Sequence, residues 1–372
     1  MAEPEFPSEF LSVMARMGAR PDLGDVSKGH VIVNENLTSH GIIRIAPLML
    51  LADTVVGMRL ESFVEDWTFT TDFSFRRAQI PVSHHIEATS TILRHGRRLM
   101  IEELEYVDEN DIPIGHAQIT FMRTPLREGE AKPDVAKVRE RMGSLELPSL
   151  DQPVEELAGI IITEAETGKV TMMPKEAVRR PGGFVQGAIM TLIGEVSAQT
   201  FAEAHYATPC VVTSLDVRYL IGGRSGPLVT QAEWIGDPDS GTIKVDLRDE
   251  GHDILSCTFL AHVQQIPLWI VDLGEGQVGF TTESTSWKAK RIMNTPAVEL
   301  IASNSRGEPL EGHDMVQGTA RIAHGDEYRS VETEVKKKYG IQFMLIVGFG
   351  RLTRFLRRKE NSSCGVVITI DA

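Results

Sequence analysis

Two carboxylates stand inside apolar stretches of this chain. Asp53 interrupts APLMLLADTVVG, and Glu195 interrupts GAIMTLIGEVSA. Apolar residues fill nearly every helical face of both runs, so each acid is drawn out of water with its neighbours. Desolvation disfavours the charged form of a carboxylate and raises its basicity. Such a group can activate water or attack an acyl carbon. A lone acid in an amphipathic helix is ordinarily a solvated residue. Two acids at equivalent places among apolar neighbours favour a site.

The equivalence comes from an internal repeat at an offset of 142 residues. Asp53 aligns with Glu195, Thr71 with Thr213, Arg76 with Arg218, Asp111 with Asp253 and Pro125 with Pro267, and no gap is needed. Two copies of one unit predict a pseudo-symmetric pair with functional sites at the seam. Each copy reads as a helix, Ala46 to Phe63 or Gly187 to Ala204, followed by strands of two-residue alternation. In the first copy these strands are FTTDFSF, SHHIEATSTIL, RLMIEELEYVD and GHAQITFMR. The turns GRR, ENDIP, GGRSGP and DPDSG separate strands. A long helix followed by an antiparallel meander predicts a sheet wrapped around a helix. Two such sheets can pair edge to edge and so cover apolar edges.

Composition bounds the partners. At 372 residues and 42% hydrophobic the chain can build several cores. It has no stretch of 18 apolar residues, and its acidic start lacks the pattern of a signal peptide, so a cytoplasmic protein with no membrane partner is expected. The net charge of −14 argues against nucleic-acid binding. Residues 268–372 hold 14 Lys and Arg against 13 Asp and Glu, so the rest of the chain carries −15. That shift marks a boundary near Pro267. Cys210, Cys257 and Cys364 form no metal or redox spacing and read as buried thiols. His84 and His85 face opposite sides of a strand, a poor geometry for a shared metal, and no metal site is expected. His40 reads as a loop residue or a substrate contact. Arg76 and Arg218 either pair with carboxylates or hold phosphates.

The repeats resemble the tandem hotdog-fold acyl-CoA thioesterases of the phenylacetate-pathway type, over roughly Asn34 to Gln265. The likeness rests on a glycine-containing turn, a helix and a carboxylate eight residues on: Gln186-Gly187-Ala188 with Glu195, and Arg44-Ile45-Ala46 with Asp53. SLDVRYL from Ser214 to Leu220, followed by GRSGPL, matches a family strand and turn. The resemblance implies that each carboxylate faces the turn of the other repeat, Asp53 at Gly187 and Glu195 at Ile45. It implies catalytic roles for Asp53, Glu195 and Gly187, with substrate contacts from Gln186, Ala188, Arg44, Thr71 and Thr213. A helix N-terminus, with free N–H groups and the positive dipole end, would polarise the thioester carbonyl. Pro47 removes a donor from the first turn, which favours the site of Asp53 and Gly187. A hydroxyl that some members carry four residues beyond the carboxylate is replaced here by Gly57 and Gln199.

From Pro267 a second resemblance takes over, to split-barrel flavin and deazaflavin oxidoreductases of the pyridoxamine-phosphate-oxidase-like class. It rests on Ser286-Trp287-Lys288-Ala289-Lys290-Arg291-Ile292, on VQGTARI from Val316 to Ile322, and on Lys338-Tyr339-Gly340. It implies coenzyme F-420 or FMN held by Lys288, Lys290 and Arg291 through charge-assisted hydrogen bonds. The chain departs from the pattern, because Pro267-Leu268-Trp269 follows directly on the last hotdog strand. Either the strand around His262 to Ile266 serves both domains, or the barrel is incomplete.

The expected architecture is α+β: two hotdog repeats forming a pseudo-dimer, then a mostly-β split barrel. Its parts are an N-terminal helical extension (1–30, with a helix near Ser8 to Met17), repeat one (31–126), a linker with a short helix (127–153), repeat two (154–266) and a truncated barrel (267–372). The expected activity is acyl-CoA hydrolysis without a cofactor, with Asp53 as base or nucleophile, in a homo-oligomer, most simply a dimer. The alternatives are an F-420- or FMN-dependent oxidoreductase whose hotdog pair presents a CoA substrate, and a binding protein with neither activity.

Overall fold

The computed structural model describes residues 12–78, 83–126, 128–129, 131–132, 134–144, 150–180, 182–206, 208–266, 270–284, 289, 292–293, 296–302, 310, 312, 314–338 and 363–371. The chain divides between Gln264 and Gln265 into two compact units.

The first unit begins with α1 (Val13–Met17), β1 (Ala19–Pro21), β2 (Lys28–Ile32) and the short pair β3 (Thr38–Ser39) and β4 (Ile42–Ile43). The long helix α2 (Ile45–Phe63) follows, then β5 (Trp67–Arg77), β6 (His85–His95), β7 (Leu99–Asp108) and β8 (Pro113–Thr124). After α3 (Val135–Ser144) the order recurs as α4 (Val154–Ala158), β9 (Ile160–Glu164), β10 (Lys169–Met172), α5 (Gly187–Tyr206), β11 (Cys210–Tyr219), β12 (Leu228–Trp234), β13 (Thr242–Asp249) and β14 (Ile254–Gln265). Helix α1 therefore answers to α4, β1 to β9 and β2 to β10. The expected division at residue 30 falls inside β2, and the helix expected from Ser8 is described from Val13, with Ser12 as its N-cap.

Twelve strands form one sheet in the order β1-β2-β6-β7-β8-β5-β11-β14-β13-β12-β10-β9. The second half of that list repeats the first in reverse, and the halves meet at β5 and β11. The register there is self-consistent: Arg76 opposes Ser214 and Asp72 opposes Arg218, pairs that interchange under the 142-residue offset. Arg76 grips Asp216 through both nitrogens at 2.8 and 2.9 Å, and Arg218 reaches Asp72 at 3.0 Å. These arginines thus pair with carboxylates. Helices α2 and α5 pack on one another and on the sheet. Apolar side chains surround both helices, so each is enclosed rather than laid on a surface; Leu48, Leu51, Leu192 and Ile193 are fully buried.

The second unit has a five-stranded antiparallel sheet, β15-β16-β19-β18-β17, of β15 (Val271–Gly274), β16 (Gln277–Glu283), β17 (Ala297–Leu300), β18 (Val316–Ala323) and β19 (Ser363–Ile370). Helix α6 (325–338) buries Val331 and Val335 against Val271, Ala323 and Val367. A second cluster gathers Phe280, Ala320, Val366 and Ile368. The strand around His262 belongs to the first unit, because β14 has β11 on one edge and β13 on the other and leaves no edge to share. Lys288, Lys290 and Arg291, the residues expected to hold F-420 or FMN, lie outside the described residues, as does most of their motif.

Candidate active site

Helix α2 turns Asp53 towards the start of α5. The Thr70 hydroxyl donates to Asp53 Oδ1 at 2.5 Å, and the Gln186 amide donates through Nε2 to Oδ2 at 3.1 Å. Gln186 immediately precedes α5 and caps it. Its Oε1 accepts the Ala188 N–H, and its carbonyl accepts the N–H groups of Ile189 and Met190. The amide is thereby oriented, and its NH2 faces the carboxylate. Among the described residues the Gly187 N–H has no acceptor, so one donor at the positive end of α5 remains open beside Asp53. A Cβ on Gly187 would come within 3.3 Å of the Met49 Cε and 3.5 Å of the Tyr219 ring, so only glycine fits there without displacement.

Burial pushes the Asp53 carboxyl above its usual range; the Thr70 hydroxyl, the Arg180 guanidinium and the Gln186 amide offset only part of that push. Arg180 lies 4.9 Å from the centre of the Phe69 ring. Beneath the site the Tyr219 hydroxyl meets the Thr191 hydroxyl at 2.6 Å.

The residue that supports Asp53 is Thr70, while Thr71, expected as a substrate contact, turns away from it. A bulge explains the difference. Thr70 opposes Phe121 and Asp72 opposes Thr120, so Thr71 is the extra residue. Its hydroxyl turns to Asp72 at 2.8 Å and to the Thr120 carbonyl at 3.3 Å. Thr213 likewise spends its hydroxyl on the His262 carbonyl.

At the opposite seam Glu195, 3% exposed, closes on the start of α2. Its oxygens accept the Ile45 N–H at 2.8 and 3.0 Å and the Ala46 N–H at 3.1 Å. Both donors available there are consumed by the protein itself. Arg44, equivalent to Gln186, turns away and pairs with Glu155 at 2.6 Å and Gln199 at 3.2 Å. Val212 occupies the place equivalent to Thr70. Half-buried Arg77 donates to the Ile43 carbonyl, and desolvation pulls its pKa down to about 10 although Glu195 acts to raise it. Burial also raises the Glu195 pKa, outweighing Arg44, Arg77 and the two backbone donors. His40 belongs to this network through Glu203, at 2.7 Å. Neither Glu155 nor Arg77 was picked out by the sequence, since nothing local to either marks it.

The first seam therefore presents a desolvated carboxylate, a hydroxyl, an amide and an open helix donor, and the second a carboxylate already bound. Among the described residues no group of three or more His, Cys, Asp and Glu is arranged to hold a metal, and no helix is long and apolar enough to cross a membrane.

No family model matches the chain, and no curated protein matches it. Solved structures similar to it include an acyl-ACP thioesterase from Bacteroides thetaiotaomicron, 10% identical with a TM-score of 0.45 over 65% of this chain and 100% of the other. A tesB protein from Mycobacterium avium subs paratuberculosis is 12% identical with a TM-score of 0.45 over 68% of this chain and 98% of its own. A 12:0-ACP thioesterase from Umbellularia californica is 12% identical with a TM-score of 0.43 over 64% and 93%.

Proposed function

We propose that the chain hydrolyses acyl-CoA thioesters at one site, built from Asp53, Thr70, Gln186 and Gly187, in a pair of hotdog units. The observation that carries this reading is the open Gly187 N–H beside a desolvated carboxylate held by two side-chain donors. The thioester oxygen accepts from Gly187 at the start of α5, where negative charge is stabilised as it develops. Asp53 takes a proton from water, the hydroxyl oxygen bonds to the acyl carbon, the C–S bond breaks, and the proton passes to the departing sulfur. Products are a carboxylic acid and a thiol. Thr70 and Gln186 fix the carboxylate so that its remaining lone pairs face the water. The hydrolysis requires no cofactor, and a cytoplasmic location and a dimer accompany this reading. Glu195, in contrast, acts as a cap on α2.

Thiol release from a panel of short, medium, long and aromatic acyl-CoAs is the test. Turnover by the wild type that Asp53→Asn lacks supports the reading; no release from any member overturns it. The bulge supplies a sharper comparison. Thr70→Val should lower kcat about 10- to 100-fold, a barrier rise of roughly 1.4–2.7 kcal/mol. Thr71→Val, one residue along, should change it less than about twofold. Equal losses in the two variants would place the supporting hydroxyl elsewhere.

A further inference from the structure

The turn that carries Gln186 and Gly187 also builds one wall of a cavity of about 210 Å³, lined by Phe184, Ile221, Arg224, Asp249, His252 and Ser256. Three residues of its lining offer polar groups towards it. The Arg224 guanidinium rests over the Phe184 ring, 5.3 Å from its centre, and has no ion pair among the described residues. His252 adds a second nitrogen-bearing ring, held by Ser225 at 2.7 Å. Ser256 is fully buried, and its hydroxyl has no hydrogen-bond partner among the described residues. An unmet hydroxyl in such a place is costly unless a ligand or water completes it.

Asp249 is the acid in this lining, and its carboxylate keeps its charge but is engaged by the surrounding backbone. Its oxygens accept the N–H groups of Arg224, Ser225, Gly226 and Gly251 at 2.7 to 3.2 Å. That loop geometry holds Arg224 at the rim and leaves the guanidinium without a counterion. The same Phe184 ring meets Arg180 on its way to the reaction site, at 5.8 Å, and Arg180 in turn acts electrostatically on Asp53. One phenyl ring thus joins the cavity to the carboxylate.

The polar residues of this lining are not repeated in the sequence of the first repeat. At the 142-residue offset Arg224 becomes Val82, His252 becomes Asn110 and Ser256 becomes Ile114. The repeat with the open Gly187 donor carries Arg224, His252 and Ser256, and the sequence of the repeat whose helix start is closed by Glu195 has apolar or neutral residues at those offsets.

We propose that this cavity is a phosphate-ester subsite, in which Arg224, His252 and the Ser256 hydroxyl hold the phosphorylated end of the thiol carrier whose thioester reacts at Asp53. Arg224 offers the planar, forked donors that suit phosphate. This inference rests on the hydrolytic reading for the carrier's role, although the anion site itself stands without it.

The experiment measures CoA binding by calorimetry to the wild type and to Arg224→Gln, alongside kcat/KM for one acyl group presented on CoA, on 4′-phosphopantetheine and on pantetheine. Arg224 is exposed, so the variant should fold; Ser256→Ala provides a second probe. The expected result is CoA binding at least about tenfold weaker in Arg224→Gln, roughly 1.4 kcal/mol. The preference for acyl-CoA over acyl-pantetheine should fall by a similar factor. If acyl-4′-phosphopantetheine matches acyl-CoA in the wild type, the subsite reads the single phosphate shared with carrier proteins; if it matches acyl-pantetheine, the nucleotide phosphates are read. CoA binding that is equal in wild type and both variants overturns the proposal. Binding that weakens in the variants while no thioester is hydrolysed by the wild type upholds the subsite and overturns the hydrolytic reading.

Discussion

Asp53→Asn should abolish thioester hydrolysis and leave the protein as stable as before, or more so. General-base assistance contributes about 10²- to 10⁴-fold, and a loss of that order in kcat is expected. Stability moves the other way for a reason of sign. Burial raises the folded-state pKa of Asp53 above its unfolded value. Its contribution to stability is then present below the unfolded pKa, near 3.9, and is lost as pH rises through the folded value. At neutral pH the ionised side chain is a burden on the fold, and the neutral amide removes it. A melting temperature unchanged or raised, together with kcat reduced by three orders of magnitude, is the expected pair. The same raised pKa places the acidic limb of kcat/KM above the ordinary aspartate value, because the base must be ionised to act. A limb at or below that value, or full activity in the folded variant, would remove Asp53 from the chemistry.

Glu195→Ala should have the opposite profile. Glu195 occupies both donors at the start of α2 and acts on Arg44 and Arg77. Removing it leaves two buried N–H groups unmet and takes the negative charge from beside the buried Arg44 and half-buried Arg77 guanidinium groups. Breaking a buried charged network in this way costs about 3–5 kcal/mol. For a unit of this size that corresponds to a fall in Tm on the order of 10 °C. Glu195→Gln retains an oxygen for the Ile45 N–H and should cost less. Turnover per folded molecule should stay within about twofold of the wild type in both. Thermal unfolding and active-site-normalised kinetics check this together; a Glu195 variant that melts normally and has lost most of its turnover would restore two working sites.

The sequence made parts of this arrangement legible and hid others, for physical reasons. An acid flanked by apolar residues on every helical face has few explanations, so Asp53 and Glu195 stood out. Which helix start each would face came from the hotdog resemblance and not from the repeat alone; in the structure Glu195 accepts the Ile45 N–H and Asp53 accepts from the Gln186 amide. What alternation cannot reveal is a bulge, because the extra residue is defined by the partner strand and not by its own neighbours. The hydroxyl of Thr70, rather than that of Thr71, therefore meets Asp53 without any sign of it in the sequence. The inequality of the two seams was visible only in Pro47. The deciding contacts, Arg44 with Glu155 and Glu195 with Ile45, join residues more than a hundred positions apart. The cavity beside Phe184 had no signature at all, since Arg224, His252 and Ser256 meet only when the loop after β11, the turn before β14 and β14 itself fold together.

The central pairing of β5 with β11 has an evolutionary consequence. Two identical separate chains joined at that edge would share one gene, and every substitution would appear at both seams at once. A change that sacrificed catalysis to strengthen one seam would sacrifice it at the other. Here the halves are consecutive in a single polypeptide, so each seam can mutate alone. One can drift into an inert, heavily bonded strut, its helix donors occupied by Glu195, while its twin keeps an open donor beside its acid.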